Sequence, residues 1–543
     1  MKTKIVIIVF LFILTLHACN DVLDILPTDK ISETAVWNDA TLIRLYMNGC
    51  YTSAYPQGLF RTTQIGHATD ELHSIKGSVY YNIIVRGDLT ADNINTIHDY
   101  LNNWKKAYFL LRDVNIFFDK IEDAPIGEDI KNEMIGEMKF MRAFIYAQLI
   151  WRYGGVPIID YVFELNDEYS VERNSYEQCV TFIIAQLDEA IALLPDKQTG
   201  ANLGKASADA ARALKSRVLL YAASAQNNPT NDLSKWQKAS DAAKELIDTR
   251  RYSLNDSYQQ TFLAHNDEVI FAKYHTQASA LDLSRQVGRN GDHGWGSDSP
   301  TQNLVNAYEM SNGQMPYLAD GSVNPLSGFD PANPYDNRDP RFYASILYDG
   351  AIWMGRPTET FSGGLDSREG PIESWNASLS GYYLKKFVPE EIPPIGGTVY
   401  PVTPYIYFRY AEILLNYAEA EFMLGHEEVA RTYINQVRNR SDVRMPPVTE
   451  SGEALLKRIR HERQIELVFE GHRYFDVRRW KIANETETKN IIGIAITKSP
   501  SGVKSYTTKN LITRTWNDRL YLLPIPREEI DRSLGSLTQN PGY

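Results

Sequence analysis

The segment from Tyr410 to Val437 constrains the fold more than any other, because it spells two helices folded back on each other. Tyr410, Ile413, Leu414, Tyr417, Ala420 and Leu424 recur at steps of three and four and therefore line one helix face. Gly425 ends that helix, and Val429, Tyr433 and Val437 line the next. Small residues, Ala420 and Ala430, stand where the two helices would cross closely. One such hairpin cannot bury its apolar face alone, so the chain must supply others to stack against it.

It does. Met134, Met138, Met141, Ile145 and Leu149 form a stripe within Glu133 to Arg152, stopped by Tyr153-Gly154-Gly155-Val156-Pro157. Ser207 is placed to cap a helix carrying Ala211, Leu214, Val218 and Tyr221, and Trp236, Ala239, Ala243 and Leu246 line another beyond Asn227-Asn228-Pro229. The spelling Ala420 to Gly425 resembles a tetratricopeptide unit. The expected fold is all-α, with about four tetratricopeptide-like helix pairs at residues 35–120, 130–195, 206–250 and 405–440. Trp104, Trp151 and Trp236 lie on helical segments and are assigned to the core.

Between the third and fourth pairs the texture changes. From about residue 252 to 404, Gly, Pro, Asp, Asn and aromatics crowd together and helical periodicity disappears. A structureless stretch of that length is rare, so we expect an irregular lobe of short strands and small helices packed on the helical scaffold. Ordered loops on a rigid scaffold are where ligand contacts concentrate.

The amino terminus carries an address. Lys2 and Lys4 precede an apolar run from Ile5 to Leu16, closed by Leu16-His17-Ala18-Cys19. The run falls short of the ~20 residues needed to span a bilayer and reads as a signal-peptide core, residues 1–18. Cys19 would become the lipidated first residue of a single mature domain, 19–543, held on a membrane by its acyl chains. Cys50 and Cys179 then remain, too few for a disulfide framework, and sequence leaves their pairing open. Loss of Lys2 and Lys4 takes the formal charge from −12 to −14. A surface this acidic repels phosphate backbones, so nucleic acid is not an expected partner.

No catalytic, metal or cofactor site is expected. Arg460-His461-Glu462-Arg463-Gln464-Ile465 begins like a zinc helix, but Ile465 stands where the second imidazole must project. Arg463, Glu466, Glu470, Arg473, Asp476 and Arg478 are expected to pair with one another and hold helices in register. A glycosidase needs two carboxylates at a set separation, and among 68 acidic residues, Asp70, Glu71, Asp292 and Asp298 included, no spacing selects a pair. Gly291-Asp292-His293-Gly294-Trp295-Gly296 follows no βαβ strand and reads as a turn.

Five motifs in order resemble the SusD/RagB family of outer-membrane nutrient-uptake lipoproteins. They are Glu137-Met138-Lys139-Phe140-Met141-Arg142-Ala143-Phe144 through Pro157; Asn337-Arg338-Asp339-Pro340-Arg341; Phe408-Arg409-Tyr410-Ala411-Glu412 through Glu419-Ala420-Glu421; Arg463 through Trp480; and the ending Leu523-Pro524-Ile525-Pro526 to Asn540-Pro541-Gly542-Tyr543. The resemblance implies a helical-repeat lid on a TonB-dependent outer-membrane transporter (SusC-like), facing the cell exterior. It would bind oligosaccharides, or in some members peptides, and carry out no catalysis. A surface glycoside hydrolase is the competing class.

Sugars present apolar C–H faces and hydroxyl edges, so a capture site wants exposed rings with polar side chains nearby. The lobe offers Trp295 beside His293, Trp353 near Arg356, and Trp375 beside Asn376. An earlier loop offers Asp70, Tyr80, Tyr81, Asn82 and Arg86. The resemblance favours these two areas, because binding in such proteins comes from loops.

Overall fold

The computed structural model describes residues 33–54, 64–164, 166–167, 170–280, 282–395 and 399–543. The leader and Cys19 lie outside the described residues. The scaffold consists of α1 (Ala40–Ala54), α2 (Trp104–Ile121), α3 (Glu128–Tyr153), α4 (Tyr176–Leu193), α5 (Ala208–Ala223), α6 (Leu233–Asp248), α7 (Tyr410–Met423), α8 (Glu427–Arg438), α9 (Gly452–Glu466) and α10 (Arg473–Arg479). From α2 to α8 each helix packs on the next, and α6 packs on α7 although about 160 residues separate them in the chain.

Local chemistry sets these boundaries. Ser175 and Gln178 form a reciprocal capping box on α4, and the Ser207 and Asp232 side chains accept backbone N–H groups opening α5 and α6. Gly154, at φ 76°, ends α3 in a conformation that suits glycine. Almost every residue of α3 from Phe140 to Tyr153 is buried, which makes it the central helix of the stack. Trp104, Trp151 and Trp236 are all core residues, as expected. Cys50 and Cys179 are buried free thiols, so no disulfide joins them.

The lobe departs from α6 and returns to α7 through one clasp. Strand β1 (Val269–Lys273) pairs antiparallel with β6 (Tyr405–Arg409), joining the two ends of the excursion. Inside it, β2 (Ile346–Leu347) pairs with β5 (Tyr383–Leu384), β3 (Ile352–Trp353) pairs with β4 (Arg356–Pro357), and short helices run over Leu283–Val287, Gln302–Ala307 and Pro340–Ser345. Its own core gathers Tyr308, Phe342, Trp353, Tyr382 and Tyr383 with Ile465, Val468 and Phe469 of the scaffold. A hairpin that the sequence reading did not anticipate, β7 (Ile491–Lys498) with β8 (Lys504–Ile512), adds Ile494 and Ile496 to that core. Its alternating Ile residues were the available signal.

Buried ion pairs tie the layers together. Glu466 of α9 receives Arg341 at 3.0 Å, Arg409 at 2.7 Å and Arg440 at 2.7 Å. Arg409 and Arg440 also share Glu268, and Arg341 reaches Asp339 and Glu462. Burial pushes the Glu466 carboxyl up, but the guanidiniums of Arg440, Arg409 and Arg341 outweigh it and hold it well below the usual carboxylate range. Elsewhere Glu137 of α3 meets Arg44 of α1, Glu412 of α7 meets Arg217 of α5, and Glu419 of α7 meets Arg479 of α10.

The expected mutual pairing within 463–478 is therefore corrected. Arg463 does pair with Asp476, but Glu466 and Glu470 recruit partners from the lobe and the clasp. Arg473 pairs with Asp70, and Arg478 donates to the Leu520 and Tyr474 carbonyls while stacking on the Tyr474 ring. Charges at the end of the chain are neutralised by residues far away in sequence, which no local spacing reveals.

Candidate ligand-binding site

The loop of residues 64–81 is fastened to the lobe by a buried polar chain. His67 Nε2 lies 2.7 Å from Asp298, its Nδ1 lies 3.2 Å from the Ser78 hydroxyl, and that hydroxyl lies 3.1 Å from His73 Nδ1. Gln64 donates to the second Asp298 oxygen, the His73 amide donates to the Ser299 carbonyl, and Leu72 bridges Pro300. Burial pushes the Asp298 carboxyl up, and the hydrogen bond from His67 opposes that shift. Gly77 crosses directly over the imidazole, where a Cβ would stand 2.1 Å from His67 Nε2. The backbone of this loop can approach so closely only because residue 77 lacks a side chain.

That fastening brings together the two areas singled out in the sequence. Lys76 donates to Asn376 Oδ1 at 2.9 Å and lies 4.7 Å from the centroid of the Trp295 ring. Arg285 lies over the same ring at 5.2 Å. His293 Nδ1 lies 2.9 Å from Glu373 Oε1, and Asn376 donates to Glu373 Oε2 at 2.9 Å. Trp375, flanked by Glu373 and Asn376, is 68% exposed. Ile75, Val79 and Tyr80 are also exposed, so the loop adds apolar surface beside its cation. An exposed indole with amide donors and a carboxylate on neighbouring residues can stack on the C–H face of a sugar while those neighbours bond its hydroxyls.

Several expected ligand residues are placed otherwise. Tyr81 and Trp353 are core residues at 0% and 3% exposure, so neither can meet a ligand. Asp70 is bound by Arg473 through two hydrogen bonds, and Arg356 is held between Asp292 at 2.8 Å and Asp366 at 2.7 Å. Those side chains are committed to structural ion pairs. Trp295 is half-buried with two cations over its ring, so it mounts those cations and is not an open platform. Tyr80 is exposed with its ring edge-on to His98 at 5.5 Å, Asn82 is half-buried at the start of a one-turn helix, and exposed Arg86 closes that turn. Lys76, Arg285 and Glu373 were not singled out, since Lys76 and Glu373 are lone charges in loops, Arg285 stands on the short helix Leu283–Val287, and no spacing marks any of them.

Three of the four acids considered for glycosidic chemistry are also engaged, and the fourth is buried. Asp70 and Asp292 sit in ion pairs, Asp298 binds His67, and Glu71 is fully buried. His461 binds the Ala307 carbonyl, and the Glu462 carboxylate lies between Arg341 and Arg438. Among the described residues no cluster of three or more His, Cys, Asp or Glu side chains could hold a metal ion.

Comparison with known proteins then decides the family. The model described as the SusD family matches residues 245–543, and a second, described as starch-binding and associating with the outer membrane, matches residues 21–220. The chain belongs to the SusD family. Among solved structures, a SusD-like protein from Bacteroides fragilis is 31% identical, with 95% of this chain and 100% of that one covered and a TM-score of 0.80. A SusD-like carbohydrate-binding protein of the same organism is 26% identical, with 92% and 99% covered and a TM-score of 0.76. SusD-like protein P2 of Formosa agariphila is 24% identical over the full length of both chains. The SusD family is one of carbohydrate-binding proteins, and its all-α repeat architecture is the one described above.

Proposed function

We propose that this chain is a cell-surface lipoprotein that captures oligosaccharide and delivers it, chemically unchanged, to a partner TonB-dependent outer-membrane transporter of the SusC-like kind. The observation that carries the binding step is the junction of Lys76 with Asn376, which sets two loops distant in sequence beside the exposed Trp375. Trp375 serves as the stacking platform, while His293, Glu373, Lys76 and Arg285 address hydroxyls at its edge. Membership of a carbohydrate-binding family supports the ligand class. The engagement of Asp70, Asp292 and Asp298 in structural ion pairs supports binding without catalysis.

The anchoring part of the reading rests on the leader and Cys19, together with the matched model's association with the outer membrane. Labelled palmitate incorporated by the natural chain and not by Cys19→Ala supports it; equal labelling sinks it. For the ligand, calorimetry on the mature chain lacking its lipid should give saturable binding of an oligosaccharide that Trp375→Ala weakens at least about tenfold. Affinity for peptides alone would move the chain to the peptide-capturing members of the family. Recovery of a β-barrel transporter with the tagged protein from detergent extracts tests delivery, and its absence under mild extraction counts against it.

A further inference from the structure

We infer that the saccharide taken by this site is anionic, carrying carboxylate or sulfate groups that Lys76 and Arg285 address; this rests on the glycan-capture reading above. The argument is one of committed and uncommitted donors. In this acidic chain the great buried cations are spoken for: Arg341, Arg409 and Arg440 each bind carboxylates. Lys76 and Arg285 differ. An ammonium carries three N–H donors and a guanidinium five. Lys76 gives one hydrogen bond, to Asn376, and neither cation forms an ion pair among the described residues. The Arg285 side chain makes no hydrogen bond among them either, and its contact is the Trp295 ring.

The neighbouring acids form no ion pair with them, although the Glu373 charge acts on both and the Asp282 charge on Arg285. Glu373 spends one oxygen on His293 and the other on Asn376, and Asp282 accepts the backbone N–H of Arg285. Burial lowers the Lys76 pKa, Glu373 opposes that, and the Arg285 charge adds to it. Two like charges are thus held near one indole, in the loops that carry Asn376 and the exposed Trp375, with Arg285 exposed and Lys76 half-buried. A neutral sugar would offer those open donors no charged acceptor, whereas a carboxylate or sulfate would accept from both cations through charge-assisted hydrogen bonds.

The test is calorimetry on the mature chain with four probes: an oligogalacturonate, a carrageenan oligosaccharide bearing sulfate without carboxylate, neutral maltoheptaose, and poly-L-glutamate. We expect at least one of the two anionic saccharides to bind about tenfold or more tighter than maltoheptaose and to weaken as salt rises. Which of them binds tells carboxylate from sulfate. The double variant Lys76→Gln with Arg285→Gln should bring that affinity down to the neutral level and remove the salt dependence. Trp375→Ala should weaken charged and neutral sugars alike. If maltoheptaose binds as tightly as the anions and the double variant is silent, this inference falls and glycan capture stands. If no saccharide binds, or poly-L-glutamate alone does, both fall. Unchanged melting of each variant excludes a folding defect as the cause.

Discussion

His293 and Glu373 face each other at 2.9 Å, and both occupy left-handed backbone, at φ 65° and 38°. Neither is glycine, and such conformations cost on the order of 1–3 kcal/mol each. The pair concentrates strain where the lobe presents Trp375. The hydrogen bond from His293 is the main influence holding the Glu373 carboxyl below its ordinary range. Removing it by Glu373→Ala frees both His293 and the Asn376 amide, so ligand affinity should drop several-fold while the melting temperature stays within about a degree. A change in melting with no change in affinity would assign the pair to the fold alone.

Two tryptophans of the lobe should separate cleanly. Trp353 is 3% exposed within the lobe core, so Trp353→Ala should destabilise by about 3–5 kcal/mol. Trp375 is 68% exposed, so Trp375→Ala should leave stability within about 0.5 kcal/mol and act on binding. Denaturant unfolding and calorimetry on both variants check the contrast; equal loss of stability would contradict it.

Glu71 supplies a pH dependence of known sign. Burial, reinforced by the Asp70 charge and opposed by Arg473, pushes its carboxyl up to about 8. The folded state therefore holds a proton that the unfolded chain has released above the ordinary carboxylate range. The stability from this group is full below pH 4.5 and is lost progressively as pH rises to about 8. Glu71→Gln should accordingly raise the melting temperature at pH 9 and change it little at pH 4. A gain of the same size at both pH values would refute the buried neutral carboxyl.

Arg341 joins the lobe to α9. It is 1% exposed and bound to Asp339, Glu462 and Glu466. Arg341→Met would leave buried carboxylates without that partner, at a cost of about 3–5 kcal/mol. Arg341→Lys should recover only part of the loss, since an ammonium cannot reproduce the planar fork. Urea unfolding measures both; a loss under about 1 kcal/mol for the Met variant would show the network to be dispensable.

The helical scaffold was legible because its signal is periodic. The stripe from Met134 to Leu149 lies within α3, and the hairpin from Tyr410 to Val437 is α7 and α8. The motifs that carry the family resemblance were legible too, and they turn out to be structural: Glu137, Glu412, Glu419 and Arg463 of the scaffold and Arg341 of the lobe all sit in ion pairs. The residues expected at a ligand site divide by burial, which the sequence did not reveal. Tyr81 and Trp353 share their residue types and loop setting with Trp375, and only tertiary packing distinguishes a plug from a platform. Asp70 was named for its loop setting, and its partner Arg473, 403 positions away, could not be read from that setting.

Because β1 and β6 meet at its base, the lobe begins and ends at one point on the scaffold. Closing a loop costs only about 0.6 kcal/mol more for each doubling of its length. Everything between Lys273 and Tyr405 can therefore lengthen, shorten or be exchanged with little penalty to the helices. The requirement is that an incoming segment keep equivalents of Arg341, Lys386 and Glu309, which dock it onto Glu466, Glu470 and Arg438, and an apolar face for Ile465, Val468 and Phe469. The molecule has the construction of a tool with a fixed handle and a replaceable bit, and a chimera carrying another SusD-like lobe between Lys273 and Tyr405 should fold on this scaffold and take its ligand preference from the graft.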